Sequence, residues 1–278
     1  MGLRRYVVKF AFEGHLFNGY ARQPQGDTVE DEMIGSLVKS GLISDARASG
    51  FASASRVDRG VSALGAAVAF DTEAREERVL RSLNASTGSL VAHSIARVEP
   101  GFDPRRAASY RWYRYHYGPE GGPGETGRGL QVPAMRRVAE AFLGEHDMSA
   151  FARLDDRDPI RRVLEIGVER RSGSLVLDVK GESFLWNQVR RMASAIRSVG
   201  SGEATVEDIE MALTEGRGGP FAPLSPVGLF LMDVVFDGLE FKRAEDLPSG
   251  TLARLRESHH QDLCSVRYHE YLMGRVPF

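Results

Sequence analysis

An aspartate set between two arginines, with a glycine two places on, is the arrangement in this chain best suited to do chemistry. It lies in Ser55-Arg56-Val57-Asp58-Arg59-Gly60-Val61-Ser62-Ala63. Flanking cations lower a carboxylate's pKa and keep it ionised, as a nucleophile or a base requires. The same arginines, Arg56 and Arg59, can hold phosphates beside a reacting base. On residue types alone the competing reading is a solvated loop with an ordinary surface ion pair, worth little. A second arrangement is the segment Tyr110–Tyr117, YRWYRYHY. It alternates and is rich in aromatics, so it reads as a strand with Tyr113, Tyr115 and Tyr117 on one face. A tyrosine there can stack on an extruded base and offer it a hydroxyl, while a row of core aromatics accounts for Tyr115 or Tyr117. Arg105, Arg106, Arg111 and Arg114 are interspersed with these rings, the pattern of a groove that tracks a phosphate backbone. A third arrangement, His259-His260 with Cys264 and His269, invites a zinc reading. Structural zinc sites use tighter paired spacings, so no metal is expected.

The elements that must position these residues follow from periodicity. Tyr6, Val8, Phe10 and Phe12 alternate and Gly14 closes the run, a first strand. A helix starts near Asp27 or Thr28, with Glu30 or Asp31 as capping-box partner and Val29, Met33, Leu37 and Val38 as its apolar stripe. The run AAVAF (66–70) reads as a strand, 79–83 as a helix and 94–98 as a strand. Beyond YRWYRYHY, the Gly- and Pro-rich 118–129 reads as an exposed loop. Then come a helix over 132–143, a hairpin of 161–170 with 174–181 turning at 171–173, and a long helix over 185–199. A further helix opens at Thr205 and a final strand covers GLFLMDVVF (228–236). Thr28-Val29-Glu30-Asp31 and Thr205-Val206-Glu207-Asp208 open helices with the same four residues. With the matched element order this predicts an α+β fold of two similar halves, 1–104 and 105–236, forming a largely antiparallel central sheet with flanking helices. Residues 237–278 form an extension to which no role is assigned.

Bulk properties exclude several classes. The chain has 278 residues, 42% hydrophobic and 27% charged, as in ordinary globular proteins. No apolar run approaches the roughly 20 residues that span a bilayer, and the N-terminus lacks a signal-peptide pattern, so a cytoplasmic protein is expected. The single Cys264 forms no internal disulfide. A net charge of −2 argues against a uniformly basic surface but leaves room for a local patch. Lys occurs only at positions 9, 39, 180 and 242, so nearly all positive charge is Arg, whose forks bind phosphate and stack on bases.

The segment Arg56-Val57-Asp58-Arg59-Gly60-Val61-Ser62-Ala63 resembles R-T-D-x-G-V-x-A, the active-site motif of the TruA family of tRNA pseudouridine synthases. The likeness runs from about Phe10 to Phe236. Phe12-Glu13-Gly14, Phe17-Asn18-Gly19-Tyr20, Gln23 and Thr28-Val29-Glu30 resemble the family's opening; Leu83-Asn84-Ala85 resembles its L-N-x turn. Phe102-Asp103-Pro104-Arg105 through Arg111-Trp112-Tyr113-Arg114-Tyr115 is similar to F-x-A-R…R-x-Y-x-Y. Gly144-Glu145-His146-Asp147 through Phe151, Phe184-Leu185 through Val189-Arg190-Arg191-Met192, and Ala222-Pro223 through Gly228-Leu229-Phe230-Leu231 resemble the remaining motifs. Val57 stands where Thr is usual and Gln188 where Met is usual; Ser62 and Tyr20 resemble archaeal or eukaryotic-type members.

The resemblance implies a pseudouridine synthase fold and isomerisation of uridine to pseudouridine in the tRNA anticodon stem-loop. It implies Asp58 as the catalytic carboxylate, Arg190 as its basic partner and Tyr113 as the active-site tyrosine. It implies neither metal nor organic cofactor, and a homodimer that shares one tRNA. Two other classes remain for comparison: a non-catalytic RNA-binding module, whose RNP1 aromatic signature is missing from this chain, and a carboxylate-dependent hydrolase, which usually needs a second carboxylate.

Overall fold

The computed structural model describes residues 2–118, 129–171, 174–216, 221–244, 247 and 249–272. The alternating run at the N-terminus forms β1 (Arg4–Phe12), in which Val7 is as deeply buried as Val8 and Phe10. A strand covered on both faces belongs in the middle of a sheet. Helix α1 (Val29–Lys39) opens on the expected capping box, Thr28 accepting from the Asp31 N–H and Asp31 from the Thr28 N–H. Its stripe is Val29, Met33 and Leu37; Val38 is exposed, because nine residues after Val29 the helix has turned by half a revolution.

β2 (Ala52–Ser53), β3 (Ser62–Thr72), α2 (Glu76–Ser86), β4 (Leu90–Val98) and the single turn α3 (Pro104–Ala107) complete the first part of the chain. β5 (Tyr110–His116), α4 (Val132–Glu140), β6 (Gly144–Asp147), β7 (Ile160–Arg171) and β8 (Ser174–Gly181) come next. The last elements are α5 (Gln188–Ser201), α6 (Val206–Glu215), β9 (Leu229–Val235), β10 (Lys242–Arg243) and α7 (Ser249–Leu272). α6 carries the second capping box, Thr205 with Asp208. Most of the Gly- and Pro-rich loop expected at 118–129, and the hairpin turn at 172–173, fall outside the described residues.

Among the described residues the strands join one mixed sheet in the order β10-β4-β1-β3-β9-β5-β8-β7-β6, with β2 on β3. Every pairing is antiparallel except β3 with β9, where Ser62 faces Phe230 and Ala63 faces Leu231. Helices flank the sheet: α2 packs on β4, α4 on α5 and β7, and α5 on β5. One apolar cluster runs through both halves. The parallel pair is the seam between them. Two parallel neighbours begin at the same end of the sheet, so the chain entering β3 and the chain entering β9 arrive side by side.

Several elements differ from the sequence reading, among them the short β2, α3, β6 and β10, which it did not contain. α5 begins at Gln188, three residues later than expected, because Asn187 adopts a left-handed φ of 62° that no helix accommodates. α7 had no periodic signature, and most of its residues are exposed.

Candidate active site

The loop entering β3 is shaped by backbone. Val61 N–H donates to the Asp58 carbonyl at 3.1 Å, closing a four-residue turn. Gly60 takes its third place with φ 85°, the left-handed value that a type II turn requires there. Gly14 lies beneath: a Cβ on it would come within 2.3 Å of the Val61 carbonyl oxygen, and its N–H donates to the Ser62 hydroxyl at 3.0 Å. The turn therefore rests on β1's exit with no room for a side chain between them.

From the other half, α5 supplies the cation. Arg190 Nη1 lies 3.1 Å from Asp58 Oδ2, and the two side chains are 13% and 21% exposed. Arg190 is itself fixed, donating to the Leu224 carbonyl at 2.6 Å through Nε and to Asn187 Oδ1 at 3.0 Å. Leu224 lies on the chain entering β9, so both incoming loops meet at this pair. Burial pushes the Asp58 carboxyl above its ordinary range; the Arg190 hydrogen bond and charge pull it back, with help from the Trp186 indole. Residue types alone gave that task to the flanking Arg56 and Arg59, neither of which contributes; the family resemblance gave it to Arg190. The counter-ion comes from 132 residues away.

Asp58 and Arg190 line a cavity of about 500 Å³. Its wall includes Tyr113, Phe184, Trp186 and Asn187, with Arg56, Arg105 and Arg157 at hand. Tyr113 is buried, meets Phe184 edge-on at 5.3 Å, and is pushed well above the usual tyrosine range by burial. Its hydroxyl therefore enters the site as a neutral donor. Tyr115 and Tyr117 continue the row into the core, stacked edge to face at 5.3 Å, and the Tyr117 hydroxyl donates to the Ala193 carbonyl of α5.

Three arginines named from the sequence are placed differently. Arg59 follows Asp58 in the turn and lines a separate depression with His15, Asn18 and Glu32, outside the Asp58 cavity. Arg111 shares the tyrosine face and is buried. Its donors reach Ser55 Oγ and the carbonyls of Ala54, Arg105, Ala108 and Glu182, which uses all five guanidinium hydrogens. It ties the segment leading to Asp58 onto β5 and has nothing left for a phosphate. Arg114, one position out of phase with Tyr113, points to the opposite face and forks onto Asp178 at 2.9 and 3.0 Å. Arg56 and Arg105 remain at the cavity.

Trp186 and Asn187 were missed by the sequence reading. A tryptophan two places before the motif arginine's own turn, in a chain with only two, was the available signal. In α7, His260 and Cys264 approach to 3.7 Å. Among the described residues no group of three or more His, Cys, Asp or Glu side chains converges as a metal site, and no helix is long and apolar enough to cross a membrane.

A family model described as tRNA pseudouridine synthase matches residues 138–237. The tRNA pseudouridine synthase A of Thermococcus sibiricus is 38% identical over 239 residues, 86% of this chain and 87% of that protein. That of Methanoculleus marisnigri is 37% identical over 271 residues, 97% of this chain and 93% of its own, a span that takes in most of the chain beyond Phe236. The solved structure described as a Cbf5-Nop10-Gar1 complex covers 81% of this chain and 70% of its own at 14% identity, with a TM-score of 0.34.

Proposed function

The chain belongs to the TruA family of tRNA pseudouridine synthases, and from that premise we propose which uridine it takes and which residues act on it. The activity is isomerisation of uridine in tRNA. The target is placed in the anticodon stem-loop, at about positions 38 to 40, a single-stranded or stem-end region of the kind from which bases are readily splayed out. This placement is supported by resemblance, from the opening motif at Phe12-Glu13-Gly14 to the closing Gly228-Leu229-Phe230-Leu231.

The observation that carries the assignment of roles is the Asp58–Arg190 pair opening on a cavity of about 500 Å³, within the range of small-ligand sites. In the reaction the C1′–N1 bond breaks, the uracil turns, and a C1′–C5 bond forms while the C5 hydrogen leaves as a proton and N1 gains one. Asp58 assists the first step, by attack at C1′ or C6 or by removing a sugar proton. Arg190 holds it ionised when substrate excludes water. Tyr113 offers its ring to the loose uracil and a neutral hydroxyl to the sugar or base. Arg56 and Arg105 meet the neighbouring phosphates. Two copies of the chain share one tRNA, so that modest basic surfaces add.

Tritium release from tRNA carrying 5-tritiated uridine, followed by mapping of the product position, tests this reading. Release with pseudouridine in the anticodon stem-loop is expected. Free uracil would indicate a hydrolase, no release a binding protein, and pseudouridine elsewhere a different target.

A further inference from the structure

Trp186 is the cavity residue whose exposure core packing does not explain. The residue is 42% exposed, leaving ring surface open at the cavity. It is nevertheless held in place: the Arg153 N–H donates to its carbonyl at 2.9 Å, and the Arg153 guanidinium lies 4.3 Å from the ring centroid. Arg153 is braced by Asp155 at 3.1 Å, and the loop continues through Asp155 and Asp156, both left-handed, to Arg157 at the cavity wall. Among the described residues no other aromatic ring rests on the indole. An indole backed by a cation on one side, at the edge of a cavity meant for an extruded base, suits a particular task. Extrusion strips the neighbouring nucleotide of its stacking partner. An aromatic face with an arginine behind it replaces that partner whatever the base.

We propose that Trp186, backed by Arg153, is a stacking platform for the nucleobase next to the extruded uridine. The proposal rests on the uridine-isomerase reading above. It is tested on a full-length tRNA transcript whose modified uridine has first been mapped with the wild-type enzyme. Transcripts carrying an abasic residue on the 5′ or the 3′ side of that uridine are then compared under single-turnover conditions.

Trp186→Ala should raise the half-saturating RNA concentration by about 10- to 100-fold, and Trp186→Phe should recover most of that loss. One abasic transcript should cost the wild type a similar factor and cost Trp186→Ala almost nothing more. In a Trp112→Phe background, Trp186 is the sole tryptophan, and its selectively excited fluorescence should quench on intact tRNA and much less on that abasic transcript. Losses that simply add for both transcripts would overturn the platform. So would Trp186→Phe failing as badly as Trp186→Ala, which would place the role in the indole N–H beside Asp58. Equal quenching by intact and abasic RNA would also overturn it. Absence of pseudouridine from the wild-type reaction would overturn the underlying reading at the mapping step, and the platform with it.

Discussion

The two halves of the molecule build one site by opposite means. The first half holds Asp58 with backbone: a turn closed by Val61 N–H, a left-handed Gly60, and Gly14 pressed against the Val61 carbonyl. The second half works with side chains. Arg190 is aimed by Asn187 and by the Leu224 carbonyl, Tyr113 by Phe184, and Arg111 fastens the first half's loop through Ser55 and Ala54 while its other donors hold it within its own half. Backbone shape is specified by local sequence and fails when a side chain intrudes. Side-chain aim is specified by distant contacts and degrades in steps.

Substitutions in each half test that contrast. The largest effect is expected from Asp58→Asn, which should lower turnover by about 10³-fold or more while tRNA affinity stays within several-fold, because phosphate contacts set binding. Pseudouridine formation and filter binding measure the two; appreciable turnover would remove Asp58 from the chemistry. Arg190→Ala should cost about 10²- to 10³-fold in turnover. With the cation gone, burial raises the Asp58 carboxyl further, so the residual rate should climb with pH over a range where the wild type is flat. Arg190→Lys should recover part of the loss. A flat single-turnover pH profile for Arg190→Ala would mean that something else keeps the carboxylate ionised.

Gly14→Ala tests the backbone half without touching a polar side chain. The added methyl overlaps the Val61 carbonyl, the loop must shift, and a displacement of about 1 Å can cost around 10²-fold in rate. Near-normal turnover would show that the loop yields freely. Asn187→Ala tests the side-chain half. It removes one hydrogen bond to Arg190 and leaves an alanine at φ 62°, for a cost of about 1 to 2 kcal/mol in stability and a fall in rate of up to about tenfold. Chemical denaturation and turnover should move together; a rate unchanged at reduced stability would leave Asn187 with a purely structural role.

The smallest effect concerns stability and pH. Burial raises the Asp58 pKa, so the folded protein binds that proton more tightly than the unfolded chain. Ionised Asp58 is then a burden on folding at neutral pH, relieved as pH falls toward the unfolded value. Asp58→Asn should therefore melt higher than the wild type near neutral pH, with the advantage shrinking as pH falls toward the unfolded carboxylate value. A lower melting temperature at pH 7 would show that the ion pair stabilises on balance.

The same contrast explains what the sequence made legible. Asp58 and Gly60 sit in one contiguous motif, and the turn they form is written in its glycine. The strands β1 and β5 and the caps at Thr28 and Thr205 are local patterns and were readable as such. The Asp58–Arg190 pairing, by contrast, depends on the parallel contact of β3 with β9, and no periodicity announces which strands will meet. Resemblance alone pointed to it. The arginines at 59, 111 and 114 lie elsewhere than at the Asp58 cavity or a free groove because residue type says what a side chain can bind, whereas a turn or a one-residue phase decides which face it reaches. Asn187 illustrates a further limit: its left-handed backbone delays α5, and periodicity read straight through it.

The sheet is closed off at both margins by short strands. At one end lies β10, two residues long and made of Lys242 and Arg243; at the other lies β6, Gly144–Asp147, with Glu145, His146 and Asp147 in its four positions. Unpaired strand edges are templates on which further chains can add, and short, charged edges resist it. The outermost strand at each end is therefore a poor template for edge-on addition, and among the described residues it shields only Ser94 and Ile95 of β4 and Ile160–Val163 of β7.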